Sequence, residues 1–323
     1  MQNKWGEKPY FSLDYYLKEK YGHKIYKIAL DGGMTCPNRD GVIDTRGCIF
    51  CSQGGSGEFA APFDKEHPSV LSQLEAGKKL LENKTDENTE FIAYFQPYTN
   101  TYGTVEYLEK LYREALECEG CVGLSIATRP DCLSTPVLIL LDNLKDEYPD
   151  KFIWIELGLQ TIHRNSAVYI RRGYDLPVFE EAVRKLNDIS IPVIVHIILG
   201  LPGETKSQMI QTIEYLNTFN IFGIKLQLLH VISGTDLELD YNERKFDVLS
   251  QDEYTEILID CIEKLSPEIV IHRVTGDGKA SMLVAPEWSK NKKNVLNTLI
   301  HTMKERDSFQ GKTYETTGFI NVI

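Results

Sequence analysis

Residues 179–204 read FEEAVRKLNDISIPVIVHIILGLPGE, and this stretch decides the fold. Phe179, Ala182, Val183 and Leu186 recur three or four apart, the spacing of one helix face. Val193–Leu199 is then almost continuously apolar, as a strand is when helices cover both faces of its sheet. A helix feeding such a strand is the repeating unit of an α/β protein with parallel strands. Working outward, the same reading predicts strands at Ile25–Leu30, Phe91–Phe95, Val122–Ala127, Phe152–Leu157, Ile224–Leu229 and Ile269–Val274. Between them, Val105, Leu108, Leu111, Tyr112, Ala115 and Leu116 repeat at helical spacing. Ser250 and Glu253 form a capping box ahead of Tyr254, Ile257, Leu258, Cys261 and Leu265. An eight-unit barrel needs about 250 residues. The pattern therefore predicts an α/β fold, a partial (β/α)6 TIM-like barrel with N- and C-terminal extensions. One domain is expected over 1–323, with a core at 20–275 and an extension at 276–323.

The 323 residues carry 35 Lys plus Arg against 47 Asp plus Glu, a formal charge of −12. With 42% hydrophobic and 25% charged residues the chain is globular, which excludes a disordered or fibrous class. No apolar run reaches the roughly 18 residues that span a bilayer, and Met1–Tyr10 is polar rather than signal-like. A soluble cytoplasmic protein without membrane contact is expected. The acidic balance argues against a surface generally adapted to nucleic acid but allows a local basic patch.

Seven cysteines without a secretory signal point to metal binding or catalysis rather than a disulfide scaffold. Cys36, Cys48 and Cys51 stand as C-x11-C-x2-C in a glycine-rich loop directly after the first predicted strand. Chemistry in such barrels sits at the carboxyl ends of the strands. Four thiolates close a zinc or iron–sulfur site, whereas three leave one position open for a ligand. The competing reading is a structural zinc completed by His23 or His67. Cys118 and Cys121 form a C-x2-C pair at the opposite end of a strand and read as turn residues. Cys132 leaves an auxiliary role open, and Cys261 belongs to the apolar stripe of a helix.

Phe50 precedes the last cysteine, and this C-x-Φ-C ending with a third cysteine upstream resembles the cluster loop of the radical S-adenosylmethionine (SAM) superfamily. The usual spacing there is C-x3-C-x2-C. A long first gap is typical of the branch similar to the elongator catalytic subunit, and the chain resembles its small bacterial YhcC/YtqA-type members. The likeness runs from about Lys4 to Trp288. It rests on Cys36-Pro-Asn-Arg-Asp-Gly41, Ala93-Tyr-Phe-Gln-Pro-Tyr-Thr-Asn-Thr101, Thr128-Arg-Pro-Asp131, Leu157-Gly-Leu-Gln160 and Gly200-Leu-Pro-Gly-Glu204, in that order. The resemblance implies a [4Fe–4S] cluster on Cys36, Cys48 and Cys51, with SAM chelating the fourth iron. One-electron reduction, from a donor such as flavodoxin or ferredoxin, would cleave SAM to methionine and a hydrogen-abstracting 5′-deoxyadenosyl radical. The branch is linked to tRNA wobble-uridine modification. That makes tRNA the implied partner and an aminomethyl-type side chain the implied target. The alternatives are a small-molecule or peptide substrate, a non-catalytic [4Fe–4S] redox protein, and a zinc-stabilised RNA-binding module.

Each strand end then offers candidates. Gln96 stands where relatives place a Gly-Gly-Glu motif and would take the SAM amino group by hydrogen bonding, or else simply cap the strand. Ser125 and Arg129 follow the third strand; Arg129 pairs either with the SAM carboxylate or with Asp131. Glu156, in an otherwise apolar run, requires a ligand such as ribose hydroxyls or a charged neighbour such as Arg129. Gln160 resembles a SAM-side contact, and Gly200 lets adenine approach the backbone. His196 reads as a hydrogen-bonded core histidine. Alternation puts Lys225, Gln227 and Leu229 on one face, inside a wet lumen if the strand is so turned. Lys225, His230, His272 and Arg273 are the substrate-side candidates, with Asp277 in the same polar cluster. Trp288–Lys304 holds Lys290, Lys292, Lys293 and Lys304 and no acid, a strip suited to phosphates with Trp288 free to stack or pack.

Overall fold

A computed structural model describes residues 4–55, 57, 60, 69–81, 89–276 and 278–315. Seven strands form one parallel sheet: β1 (Tyr26–Leu30), β2 (Phe91–Phe95), β3 (Cys121–Thr128), β4 (Phe152–Gln160), β5 (Val193–Leu199), β6 (Gly223–Leu228) and, after a two-residue β7 (Val231–Ile232), β8 (Val270–Arg273). They pair in chain order, apart from β7. A helix occupies each of the six crossovers: Val70–Leu81, Val105–Glu117, Thr135–Glu147, Leu176–Asp188, Lys206–Leu216 and Gln251–Lys264. The six expected units are thus closed by a seventh strand. A ribbon absent from the sequence reading adds to this, with β7 antiparallel to β9 (Leu283–Ala285).

Period-2 alternation sorts the strand residues into two cores. Phe91, Ala93 and Phe95 of β2, Leu124 and Ile126 of β3, and Val193, Val195 and Ile197 of β5 face outward under the helices. Ile92, Trp154 and Ile194 face the concave side and close its lower end with Leu17 and Ile25. The sheet curls: Lys27 on β1 reaches Glu156 on β4, and Lys225 on β6 reaches the Tyr94 hydroxyl on β2 at 3.0 Å. Neither pair of strands is adjacent, so these bonds cross the bowl rather than run along it.

Candidate active site

From bottom to mouth the concave face is layered. The floor is aromatic. Phe152 stacks on Trp154 with centroids 3.9 Å apart, and Phe222 and His272 close around them. His272 is here, not at the mouth where the sequence reading placed it. Lys225 pairs with Arg273 while Ile224 pairs with Ile271, so His272 is the extra residue of a bulge and turns down into the floor. Both its ring nitrogens are buried without a partner, and burial holds its pKa well below the usual range.

Above the floor lies a charged layer centred on Glu156. Lys27 Nζ donates to Oε1 at 3.0 Å and the Ser125 hydroxyl at 2.6 Å; Lys225 Nζ and His196 Nε2, the latter at 2.7 Å, reach Oε2. Burial alone would raise the Glu156 pKa, but Lys225 and Lys27, with the bond from His196, hold it well below the carboxylate range. Burial together with Lys225 lowers His196 to about 4, so its ring is neutral. Beside an ionised carboxylate the neutral ring must carry its proton on Nε2. Lys225 is lowered to about 7 by burial, which outweighs the opposing attraction of Glu156, while Lys27 and Arg273 lower it further. Three sequence expectations change here. The charged neighbours of Glu156 are Lys27 and Lys225, not Arg129. Ser125 is spent on Glu156 instead of facing a cofactor. Lys225, 2% exposed, faces inward but is locked in the layer rather than waiting in a wet lumen.

Over this layer opens a cavity of about 240 Å³ at the carboxyl ends of the strands. Cys36, Cys48 and Cys51 line one side. Gln96, Arg129, Glu156 and Gln160 also reach its wall, with Gln227, His230 and Arg273 on the far side. The cysteine loop is built by its own neighbours. Arg39 donates to the carbonyls of Cys51 and Ser52 at 2.7 and 2.6 Å, and Asn38 Nδ2 lies 3.4 Å from Cys48 Sγ. The loop after β2 braces it from the other side, with Tyr98 N–H on the Gly55 carbonyl at 3.0 Å and Thr99 N–H on that of Thr35 at 3.3 Å. Asn100, fully buried, ties that loop to the carbonyls of Phe95, Pro97 and Ala127. Two of the sequence motifs are thus the scaffold of one cysteine loop.

Arg129 forms a fork on Asp131, Nε to Oδ1 at 2.9 Å and Nη2 to Oδ2 at 2.7 Å, while Nη1 donates to the Arg172 carbonyl. Of its two expected roles, fixing the loop is the one realised in the geometry. Gly200 does not reach the cavity wall; Ile198 does. Its φ of 86° and the Leu249 side chain packed where a Cβ would stand account for glycine there. Sequence reasoning also missed Tyr174 and Arg172, which line the cavity with their rings and guanidinium stacked 4.6 Å apart. Arg171, Arg172 and Tyr174 follow a short helix, Arg164–Tyr169, with no motif to flag them.

The competing metal readings have little geometry behind them. His23 pairs with Glu90 at 3.0 Å ahead of β1, away from the cysteines; His67 and Asp277 lie outside the described residues. Among the described residues no three His, Cys, Asp or Glu side chains converge tightly enough for a single metal ion. Cys118 ends a helix and Cys121 opens β3, at the lower rim, and Cys261 is fully buried in its helix. Trp288 packs on Tyr254 and donates to the Leu249 carbonyl at 3.0 Å, so it is not a free stacking platform. Beside the mouth, a recess sharing His230, Gly278 and Lys279 with the main cavity is lined by Ser281, Lys290 and Lys292. Among the described residues no helix is long and apolar enough to cross a membrane.

Comparison with known proteins agrees with this architecture. The chain is 40% identical over 309 residues to the uncharacterized protein YtqA of Bacillus subtilis, covering 96% of this chain and 94% of that one. It is 26% identical to a tRNA uridine(34) acetyltransferase of Methanocaldococcus jannaschii, over 59% of this chain but only 34% of that protein. The solved archaeal Elp3 of Methanocaldococcus infernus superposes with a TM-score of 0.67 at 18% identity, over 88% of this chain and 64% of that one. Residues 45–216 match the Radical SAM superfamily and residues 221–305 the Radical_SAM C-terminal domain. With three cysteines gathered at the strand ends of a curled parallel sheet, this chain belongs to the radical SAM superfamily.

Proposed function

We propose that the protein is a radical SAM enzyme that holds a [4Fe–4S] cluster on Cys36, Cys48 and Cys51 and acts on a uridine-bearing RNA, with a tRNA wobble uridine as the target. The observation that carries the reading is the shared cavity: three thiols on one wall and polar strand-end residues on the others. The residues fit the implied groups. Three cysteines, with no fourth thiol on the wall, suit a cluster with one iron open to a ligand. A cubane is wider than one ion, so its ligands need not converge as zinc ligands do. Gln160 supplies a second test: it holds a positive φ of 68° and buries its Oε1 with no partner. A strained residue with an orphaned acceptor is a place prepared for a donor that the chain itself does not provide.

When bound, the cluster and SAM supply one-electron chemistry that ends in hydrogen abstraction from the substrate. The chain's own part is positioning. Gln96 and Gln160 offer hydrogen bonds to the polar end of SAM, and Ile198 offers an apolar wall. The Glu156 layer lies across the bowl below the cavity. His230, Gln227 and Arg273 face the substrate from the far side. Support for RNA comes from the tRNA-modifying relative and from the lysine-lined recess beside the mouth.

Anaerobic reconstitution tests the chemistry. Wild type should bind about four iron atoms and release 5′-deoxyadenosine with SAM and reductant; changing any one of Cys36, Cys48 or Cys51 to Ala should abolish both. A fully loaded cluster that yields no 5′-deoxyadenosine overturns the enzymatic reading. Comparing tRNA nucleosides from cells with and without the gene tests the substrate. An unchanged wobble-uridine profile overturns the tRNA target and leaves the radical chemistry standing.

A further inference from the structure

Behind Cys48 the structure buries a guanidinium that makes no ion pair among the described residues. Arg172 is 4% exposed, and its hydrogen bonds all go to backbone carbonyls: Leu159 at 3.1 Å, Thr161 at 2.6 Å and Tyr174 at 3.1 Å. Among the described residues no acid lies within ion-pair distance of it. Its neighbour Arg129, by contrast, is neutralised by Asp131. Carbonyls orient a guanidinium but return no net charge, so a buried cation of this kind is costly until an anion arrives.

The anion's place is marked by Asn38. Its Nδ2, 3.4 Å from Cys48 Sγ, also reaches the carbonyls of Arg171 at 2.6 Å and Arg172 at 3.4 Å. One buried amide thereby fastens the Arg171–Arg172 segment to the cysteine that faces it. Gly173 allows this approach, because a Cβ there would collide with Asn38 Oδ1. Asp175 and, after it, Cys48 stand in electrostatic reach of the Arg172 guanidinium, and Arg172 and Cys48 line the same cavity.

We infer that Arg172 is a positioning residue for the cluster, the built-in countercharge of its Cys48 side, which raises the cluster's reduction potential. The inference rests on the cluster reading given above. A cluster gains one electron and one unit of negative charge on reduction, and a fixed positive charge nearby favours that state. The Tyr174 ring, 4.6 Å from the Arg172 guanidinium and 5.2 Å from that of Arg129, keeps water away from both.

The experiment is a redox titration of the reconstituted full-length protein followed by electron paramagnetic resonance, with circular dichroism melts as the check on folding. Arg172→Gln keeps hydrogen-bonding capacity but loses the charge. It should shift the midpoint to more negative values by about tenfold in the oxidised-to-reduced ratio, about 59 mV for one electron. Arg172→Lys keeps the charge and should restore most of the wild-type value. If Arg172→Gln fails to load iron while Arg172→Lys loads, the charge requirement is supported in stronger form. Equal midpoints for wild type and Arg172→Gln at equal iron content overturn the inference. So do equal shifts in both variants, or failure of both to load, because those outcomes mark a purely structural cap. A wild type that never takes up iron overturns the cluster reading and this inference with it.

Discussion

At the scale of single residues, Glu156 carries the most consequence. It stands inside a barrel strand with its side chain fully buried, stabilised by two lysines, a histidine and a serine. Breaking one partner of a buried ion pair strands the others, at a cost of about 3–5 kcal/mol. Glu156→Gln should therefore lose about that much stability in urea unfolding, and adding Lys225→Met should recover part of it. A double variant no more stable than the single one would show that Lys225 is not held by Glu156. The layer also sets an acid limit. His196 falls from an ordinary 6.5 to about 4 in the fold, and Glu156 lies below its ordinary 4.5. In both cases the unfolded chain takes up the proton first as pH falls, so acid favours unfolding. Melting temperature should drop as pH goes from 6.5 to 4, and His196→Gln should flatten the upper part of that drop. A flat wild-type profile over this range contradicts the assignment. From sequence, Glu156 was readable as a residue in need of a partner, because a carboxylate in an apolar run demands one. Which partner was not readable: Lys27 is 129 positions away, and only the curl of the sheet brings it close.

At the scale of elements, the legible features were the local ones. Each of the seven predicted strand runs lies on an observed strand of the sheet, because strands covered on both faces are nearly pure apolar runs. The Ser250–Glu253 capping box is present as read, Ser250 Oγ accepting from Glu253 N–H and the Glu253 carboxylate accepting from Ser250 N–H. Ser250→Ala should cost about 1 kcal/mol of stability. A change below about 0.3 kcal/mol in urea titration would mean that this helix is held by packing alone. What failed depended on register. The bulge on β8 adds one residue against β6, and one residue is enough to send His272 to the floor while Arg273 reaches the cavity. Nothing local in His-Arg-Val announces that shift. The β7–β9 ribbon was missed for a similar reason: two- and three-residue strands are too short for any periodicity to show. The cysteine loop was found by spacing, but its fixing by Asn38, Arg39 and Asn100 needed the structure.

At the scale of the whole molecule, a net charge of −12 repels a polyanion, so the proposed RNA substrate would have to be met locally. The sequence singled out Trp288–Lys304 as one strip, and the fold divides it. Trp288 is packed inward, and only the first turn of the strip, Lys290 and Lys292, joins Lys279 around a recess that opens beside the barrel mouth. The rest of that strip lies on the helix Lys292–Glu305, where Lys293 and Lys304 face solvent and His301 pairs with Glu305. This geometry separates the two parts of the strip experimentally. If a nucleoside enters the cavity, a flanking backbone phosphate meets the recess lysines and not those further along the helix. Lys279→Ala with Lys290→Ala should then weaken tRNA binding and lower the slope of log affinity against log salt by about 1.5, near 0.7–0.9 per lost contact. Lys304→Ala, on the outer helix, should leave that slope unchanged. Release of 5′-deoxyadenosine without RNA should be the same in Lys290→Ala and Lys304→Ala as in wild type, since neither lysine lines the main cavity. Filter binding from low to moderate salt measures both quantities. Equal slopes for wild type and the recess variant would sever the recess from RNA and return the −12 surface to its simplest meaning, a protein that takes a smaller substrate into the barrel.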